Sequence, residues 1–381
     1  MNKIFNSIFL SIILIVAITG CQKETDFDPK FPSEDFISDG LYGGEYWPTL
    51  GWRTCSPEQA GMDSEKLKKL NEEITLLLKL HIDVHGVLVI SKGYIVAEQY
   101  YSNDFNADSL HRIFSCTKSI TSAAIGIAIN EGYIKNINQP VLECFPGFDI
   151  ENPNPLKETM TIRHFLTMSA GLEWKEMDYP YDDERNTYNQ WIQSDDPVSF
   201  VLNRPLIHVP GEEYDYSTGY SHVLSAIIER STGIKLDQFV NEKIFLPLGV
   251  QHYYWPKDIN GIPYGGNGVR LMPRDMAKIG YLYLRKGRWE NKQIVPEEWV
   301  LESSQNHIQM KYITDYYYGY HWWVHPDGRY AAVGYAGQWI FVIPEHDLVV
   351  VFINNFDESD PWQLSTPERL LETYIIPAVK D

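Results

Sequence analysis

The stretch Phe114-Ser115-Cys116-Thr117-Lys118, followed by Ser119-Ile-Thr-Ser-Ala-Ala-Ile-Gly-Ile-Ala-Ile-Asn130, carries the strongest local signal in the chain. Its pattern predicts a helix over Ser115 to Asn130, stopped by Gly132. Small residues and the lack of charge past Lys118 predict burial on nearly all sides. Ser115 and Lys118 are three apart at the helix start, so they share a face and the amine can reach the hydroxyl. A serine hydroxyl is a poor nucleophile until a base takes its proton. A buried lysine can be that base, because desolvation disfavours its charged form. The helix N-terminus also favours negative charge developing near Ser115. Ser-x-x-Lys alone is common, and the uncharged helix around Lys118 is what singles it out.

Two more segments look chemical. Pro210-Gly211-Glu-Glu-Tyr-Asp-Tyr216-Ser217-Thr218-Gly219-Tyr220 leads through a turn into a helix predicted from Ser221. Tyr216 falls in the entering loop. A phenol beside a cation is expected to have a lowered pKa and to shuttle protons. Tyr330-Ala-Ala-Val-Gly334-Tyr335-Ala-Gly337-Gln338 reads as a strand whose glycines admit another backbone or a ligand. Its edge can offer a backbone N–H to a substrate oxygen.

Strand patterns occur near both ends. Gly86 to Ile90 and Tyr94 to Tyr101 read as a hairpin. Gly319 to Val324, Tyr330 to Val333, Gln338 to Ile343 and Asp347 to Ile353 read as later strands. Leu67, Leu70, Ile74, Leu77 and Leu78 fall at helical spacing behind a cap at Asp63 or Ser64. The middle, about 161–303, reads as helical, with segments over 221–230, 235–244 and 274–285. Thr366-Pro367-Glu368 is expected to open a final helix, with Thr366 as cap. The predicted class is α/β of the α+β kind. One antiparallel sheet built from both termini is flanked by N- and C-terminal helices, beside a mainly helical subdomain.

The 381 residues are 44% hydrophobic, with 11 Trp, 25 Tyr and 16 Phe, which excludes global disorder. A net charge of −19 repels phosphate backbones and argues against nucleic acid as a partner. Residues 1–20 read as a sorting signal: Lys3, an apolar run over Ile8 to Ile18, then Ile18-Thr19-Gly20-Cys21. That tetrapeptide resembles a bacterial lipobox, which implies lipidation at Cys21 and anchoring in the bacterial cell envelope, on the periplasmic or surface face. Residues 21–50 read as a flexible tether and 51–381 as the functional domain. With Cys21 lipidated, Cys55, Cys116 and Cys144 remain, so at least one thiol is free.

Together the motifs resemble the serine β-lactamase and penicillin-binding superfamily, and within it the class C β-lactamase-like hydrolases. These include esterases and 6-aminohexanoate-dimer hydrolases. The resemblance spans about 53–376 and includes Thr161 to Gly171, Phe245-Leu-Pro-Leu-Gly249 and Pro273 to Gly280. It implies a β-lactamase/transpeptidase-like fold, Ser115 as nucleophile, Lys118 as its activator and Tyr216 as proton relay. It implies an oxyanion hole from the backbone N–H groups of Ser115 and Tyr335, with Thr218, Gly334 and Tyr181 against substrate. Neither metal nor organic cofactor is implied. Thr218 stands where the family usually has Asn, and Ala332-Val333-Gly334 where β-lactamases have Lys-Thr-Gly. The missing lysine would hold a substrate carboxylate. The resemblance therefore implies a lipid-anchored hydrolase of small esters, amides or peptide-like substrates. The alternatives are a β-lactamase or D,D-peptidase and a non-catalytic binding relative.

Other signals carry less. His81 and His85 lack a third ligand and read as a helix end entering a strand. Gly265-Gly266-Asn267-Gly268 lacks the Lys and Ser/Thr of a phosphate loop and reads as a turn. Tyr179 to Asp183 is acidic and aromatic, and reads as either a cleft border or a solvated loop.

Overall fold

A computed structural model describes residues 46–311, 313–357 and 362–380. The sorting signal, Cys21 and most of the tether lie outside the described residues. The main sheet contains β1 (Val84–Ser91), β2 (Tyr94–Tyr100), β3 (Ile308–Gln309), β4 (Tyr317–Tyr318), β5 (Trp323–Val324), β6 (Tyr330–Gly334), β7 (Gln338–Ile343) and β8 (Leu348–Asn354). Its spatial order is β2-β1-β8-β7-β6-β5-β4-β3, with every pair antiparallel. Strands from the two chain ends thus meet at β1 and β8, where Val87 faces Phe352. Every residue of β1, β6, β7 and β8 is buried. Central strands covered on both faces need no polar alternation, which is why they read as continuous apolar runs.

The helices are α1 (Ser64–Lys79), α2 (Thr117–Asn130), α3 (Thr218–Thr232), α4 (Pro273–Leu284) and α5 (Trp362–Leu370), besides shorter turns. The Asp63 carboxylate caps α1 by accepting from the Glu65 and Lys66 amides. The α4 helix packs on β7 and β8, and α1 packs on β1 and on the C-terminal segment Leu371–Ala378. Helices α2 and α3 pack on each other beside the sheet.

Four expectations are corrected. Of the predicted strand over 319–324 only Trp323–Val324 is strand (β5); residues 319–322 form the turn that joins it to β4, with His321 at φ 64°. The final helix starts at Trp362 rather than at Thr366, with Pro367 inside it. Proline has a helical φ there, at the cost of one backbone donor and of crowding against the carbonyl four residues before it. The predicted helix over 235–244 divides at Val240 into an α turn and a wider π turn, Asn241–Phe245. Trp47 and Thr49, inside the segment assigned to the tether, are docked, while Leu50 beside them is fully exposed. Trp47 stacks near Trp289 and Tyr281, at 5.5 and 5.8 Å between centroids, and Thr49 bonds Trp289 and Glu290.

Helix α2 is buried without a break from Thr117 to Ala128. At Gly126 an added Cβ would lie 2.3 Å from the Trp299 ring. Alanine is favoured over glycine in a helix by about 1 kcal/mol, but overpacking costs about 1–3 kcal/mol. The clash is with a rigid indole, so it should win. Gly126→Ala is expected to lower the urea midpoint, and an unchanged or raised midpoint would contradict this packing.

Candidate active site

Ser115 lies in a short 3-10 turn, Phe114–Cys116, that runs directly into α2. Phe114 has φ 46°, left-handed for a residue with a bulky side chain, a conformation that persists only where surroundings enforce it. Its ring packs 5.3 Å from Tyr335 and under the Arg112 guanidinium at 4.4 Å. The Cys116 thiol points the other way, toward the carbonyls of Ala332 and Gln338. It thereby ties the start of α2 to β6 and β7. Gly334 completes this junction, because a Cβ there would sit 2.4 Å from the Ile113 carbonyl. The close approach expected of that glycine is therefore to the backbone just before Ser115.

Lys118 projects from the first turn of α2 and is 1% exposed. Its Nζ lies 2.9 Å from Ser115 Oγ, 3.0 Å from Thr218 Oγ1 and 2.8 Å from the Gly266 carbonyl. Burial pushes its pKa down to about 8, against a smaller opposing effect of Glu176. The Tyr216 ring centroid is 4.7 Å from Lys118 Nζ, and Tyr216 and Ser115 line one cavity. The hydroxyl, amine and phenol predicted to converge are therefore together. The expected direction for Tyr216 is corrected: burial raises its pKa well above the ordinary value, and the nearby Tyr318 and Glu176 raise it further. Burial outweighs any help from the amine, so this phenol keeps its proton at neutral pH.

Two site residues escaped the sequence reading. Gly266 belongs to the loop set aside as a turn. A Cβ on Gly265 would lie 2.0 Å from the Ser221 carbonyl, and one on Gly266 would lie 2.7 Å from Thr218 Cγ2. The bare backbone passes against α3 and brings a carbonyl to the amine. Glu176, 2% exposed, accepts from Trp174 Nε1, the Thr218 amide, the Thr218 hydroxyl and the Tyr181 hydroxyl. No motif marks it among 51 acidic residues. Tyr181 packs 5.1 Å from Tyr188 and 5.4 Å from Tyr335, which decides that the 179–183 segment borders the cleft.

Ser115 opens onto two cavities. The larger, about 420 Å³, is lined by apolar groups such as Met177, Tyr179, Ile313, Trp323 and Val333, with Glu176 and Asp178 as its acids. Among the described residues, no lysine or arginine lines it. The smaller, about 190 Å³, is lined by Arg112, Tyr188, Thr218 and Asn267 among others. Ser115, Glu176, Tyr181 and Tyr335 line both. Gly334 also lines the larger one. Tyr335 is held by the turn after β6, where the buried Gln338 and Asn354 amides donate to the Ala336 and Gly337 carbonyls.

Cys55, Cys116 and Cys144 are all free and buried. His85 lies in β1 and bonds His111 and Asp83. Among the described residues, His325, Glu368 and Glu372 form a cluster of metal-ligating types. Arg329 is paired with both of its glutamates and supplies positive charge there.

Residues 78–374 match the family model described as Beta-lactamase. A 6-aminohexanoate-dimer hydrolase of Paenarthrobacter ureafaciens is 23% identical over 336 residues, covering 83% of this chain and 84% of that protein. Among solved structures, a putative 6-aminohexanoate-dimer hydrolase from Bacillus anthracis is similar with TM-score 0.68, 22% identity and 80% of each chain covered. EstCE1, a hydrolase with promiscuous acyltransferase activity, is similar with TM-score 0.68 and 17% identity, covering 83% of this chain and 99% of that one. The fold is that of the β-lactamase and transpeptidase group. The chain belongs to the beta-lactamase family, and it is a serine hydrolase.

A buried amine of depressed pKa makes a stability prediction. Below about pH 8 the folded state carries the full cost of the charged Lys118; as pH rises toward the unfolded value of 10.5, that cost disappears. Stability should therefore rise with pH in this window. Relative to Lys118→Met, the wild type is expected to gain about 2–3 kcal/mol between pH 7 and 10. Urea unfolding of both proteins measures it, and a pH-independent difference would contradict the assignment.

Proposed function

We propose that the chain cleaves an ester or amide bond whose acyl side is uncharged and largely apolar, through a Ser115 acyl-enzyme. The observation that carries this is Lys118 Nζ at 2.9 Å from Ser115 Oγ, in a buried site where the amine's pKa falls to about 8. Neutral Lys118 takes the Ser115 proton as the hydroxyl oxygen attacks the carbonyl carbon. The oxyanion is held by the backbone N–H groups of Ser115 and Tyr335. The Tyr216 phenol, protonated at neutral pH, donates to the leaving group and is reprotonated from Lys118. Water then attacks the acyl carbon by the reverse route and frees Ser115.

The apolar character of the larger cavity supports the substrate class, as does Ala332 at the position where β-lactamases carry the carboxylate-holding lysine. The relatives named as 6-aminohexanoate-dimer hydrolases are consistent with amide substrates. We further propose that the chain is anchored in the bacterial envelope through lipid on Cys21. The apolar run ending at that cysteine supports this, while among the described residues no helix is long and apolar enough to cross a membrane.

Fluorophosphonate probes are expected to label the wild type but not Ser115→Ala; equal labelling would remove the nucleophile assignment. A charge-assisted carboxylate contact is worth about 1.5–3 kcal/mol. An uncharged p-nitrophenyl ester should therefore surpass nitrocefin in kcat/KM by about 10–100-fold, and the reverse order would favour the β-lactamase reading. For the anchor, Cys21→Ala should move the protein from the membrane to the soluble fraction, and unchanged membrane recovery would contradict it.

A further inference from the structure

The Lys118 amine has three neighbours, and their proton inventory decides where its lone pair points. The Gly266 carbonyl can only accept. Thr218 is ambiguous in principle, because a hydroxyl both donates and accepts. Here its single proton is engaged: the hydroxyl donates to Glu176 Oε1 at 2.6 Å, while the Thr218 amide donates to Oε2 at 2.7 Å. Trp174 Nε1 and the Tyr181 hydroxyl donate to the same carboxylate at 2.8 and 3.1 Å. All four partners are donors, so Glu176 is held as an acceptor and Thr218 must present lone pairs to Lys118. A neutral amine has two N–H bonds. With both directed at Thr218 and Gly266, its lone pair faces Ser115.

We propose that Glu176 is a positioning residue for the Ser115–Lys118 pair, acting through the Thr218 hydroxyl to aim the Lys118 lone pair at the Ser115 proton. This rests on Ser115 and Lys118 acting as nucleophile and base. Without the carboxylate, the Thr218 hydroxyl is free to turn and donate to the amine, and the lone pair is then occupied. A threonine at this position needs such a partner. An Asn would offer a carbonyl oxygen that carries no proton at all.

Glu176 also acts on the amine by charge, since a nearby carboxylate favours the ammonium. The other titratable groups facing Lys118 are the Cys116 thiol, held neutral by burial; His321, held neutral by burial and by Lys118 itself; and the protonated Tyr216. Glu176 is thus the anionic group of this set. Its removal should lower the pH at which the amine becomes a base while also spoiling its aim. A merely structural residue would not produce that pair of effects.

The test is a pH profile of kcat/KM for p-nitrophenyl ester hydrolysis by wild type, Glu176→Gln, Thr218→Val, the double variant and Thr218→Ser. Glu176→Gln should lower the plateau by about 10–100-fold and move the acid limb down by about one unit. Thr218→Ser keeps the hydroxyl and should stay within a few-fold of wild type, while Thr218→Val should fall as Glu176→Gln does. The double variant should be no worse than Thr218→Val, because both act through one hydroxyl. An unmoved acid limb in Glu176→Gln, or multiplicative losses in the double variant, would overturn the proposal. Glu176→Asp gives a second reading that keeps the charge but withdraws it from Thr218. A lowered plateau with the limb unmoved is expected, and a wild-type plateau counts against the proposal. Ser115→Ala in the same assay separates the two levels of inference: activity that survives there removes the nucleophile reading. Loss there beside a wild-type profile in Glu176→Gln removes only the role of Glu176.

Discussion

A lysine amine without water is the constraint on which the site depends. Burying a cation is expensive unless it is paired or gives up its proton. Lys118 has a place in this protein only because every neighbour suits an amine poised between charged and neutral. The Gly266 carbonyl and Thr218 hydroxyl stabilise its N–H bonds, and Glu176 supplies partial charge compensation. The uninterrupted burial of α2 keeps solvent away. The same burial that depresses this amine raises the Tyr216 phenol. One enclosed space therefore holds an amine of depressed pKa and a phenol of raised pKa beside a single hydroxyl, the combination the proposed acyl transfer would use.

That arrangement is assembled from distant parts of the chain, and the sheet is what brings them together. Pairing of β1 with β8 joins the two ends, and the approach of Gly334 to Ile113 fixes β6 against the start of α2. The Cys116 thiol reinforces the same junction from inside. The loop of Gly265 and Gly266 performs the equivalent task against α3. In both places, glycine is required by contact with another segment's backbone rather than by a turn.

Much of this was legible in the sequence for identifiable reasons. Strands β7 and β8 and helices α1 and α4 are long and periodic, so their patterns survive translation into structure. The last helix misled because Pro367 looks like a first-turn residue, the position where proline is best tolerated, whereas here it lies inside the helix. Ser115 and Lys118 were visible because short spacing and the helix start mark them, while Tyr216, in a chain with 25 Tyr, was singled out by the resemblance of its segment to the family's Tyr-x-Asn element. Glu176 and Gly266 were not. Their roles arise only from through-space contacts with Thr218 and Lys118, which lie 42 and 148 residues away in sequence. The Tyr216 pKa was read in the wrong direction because pairwise proximity to a cation was weighed without the larger effect of burial.

The account stands on the protonation state of one side chain, and that state is open to direct observation. Protein labelled with 13C at the lysine ε carbons can be titrated by NMR, with the Lys118 signal identified by its loss in Lys118→Arg. The account predicts a midpoint near 8. A midpoint at the ordinary lysine value of 10.5 would contradict it, because the amine would then be an ammonium throughout the neutral range and have no lone pair to offer Ser115.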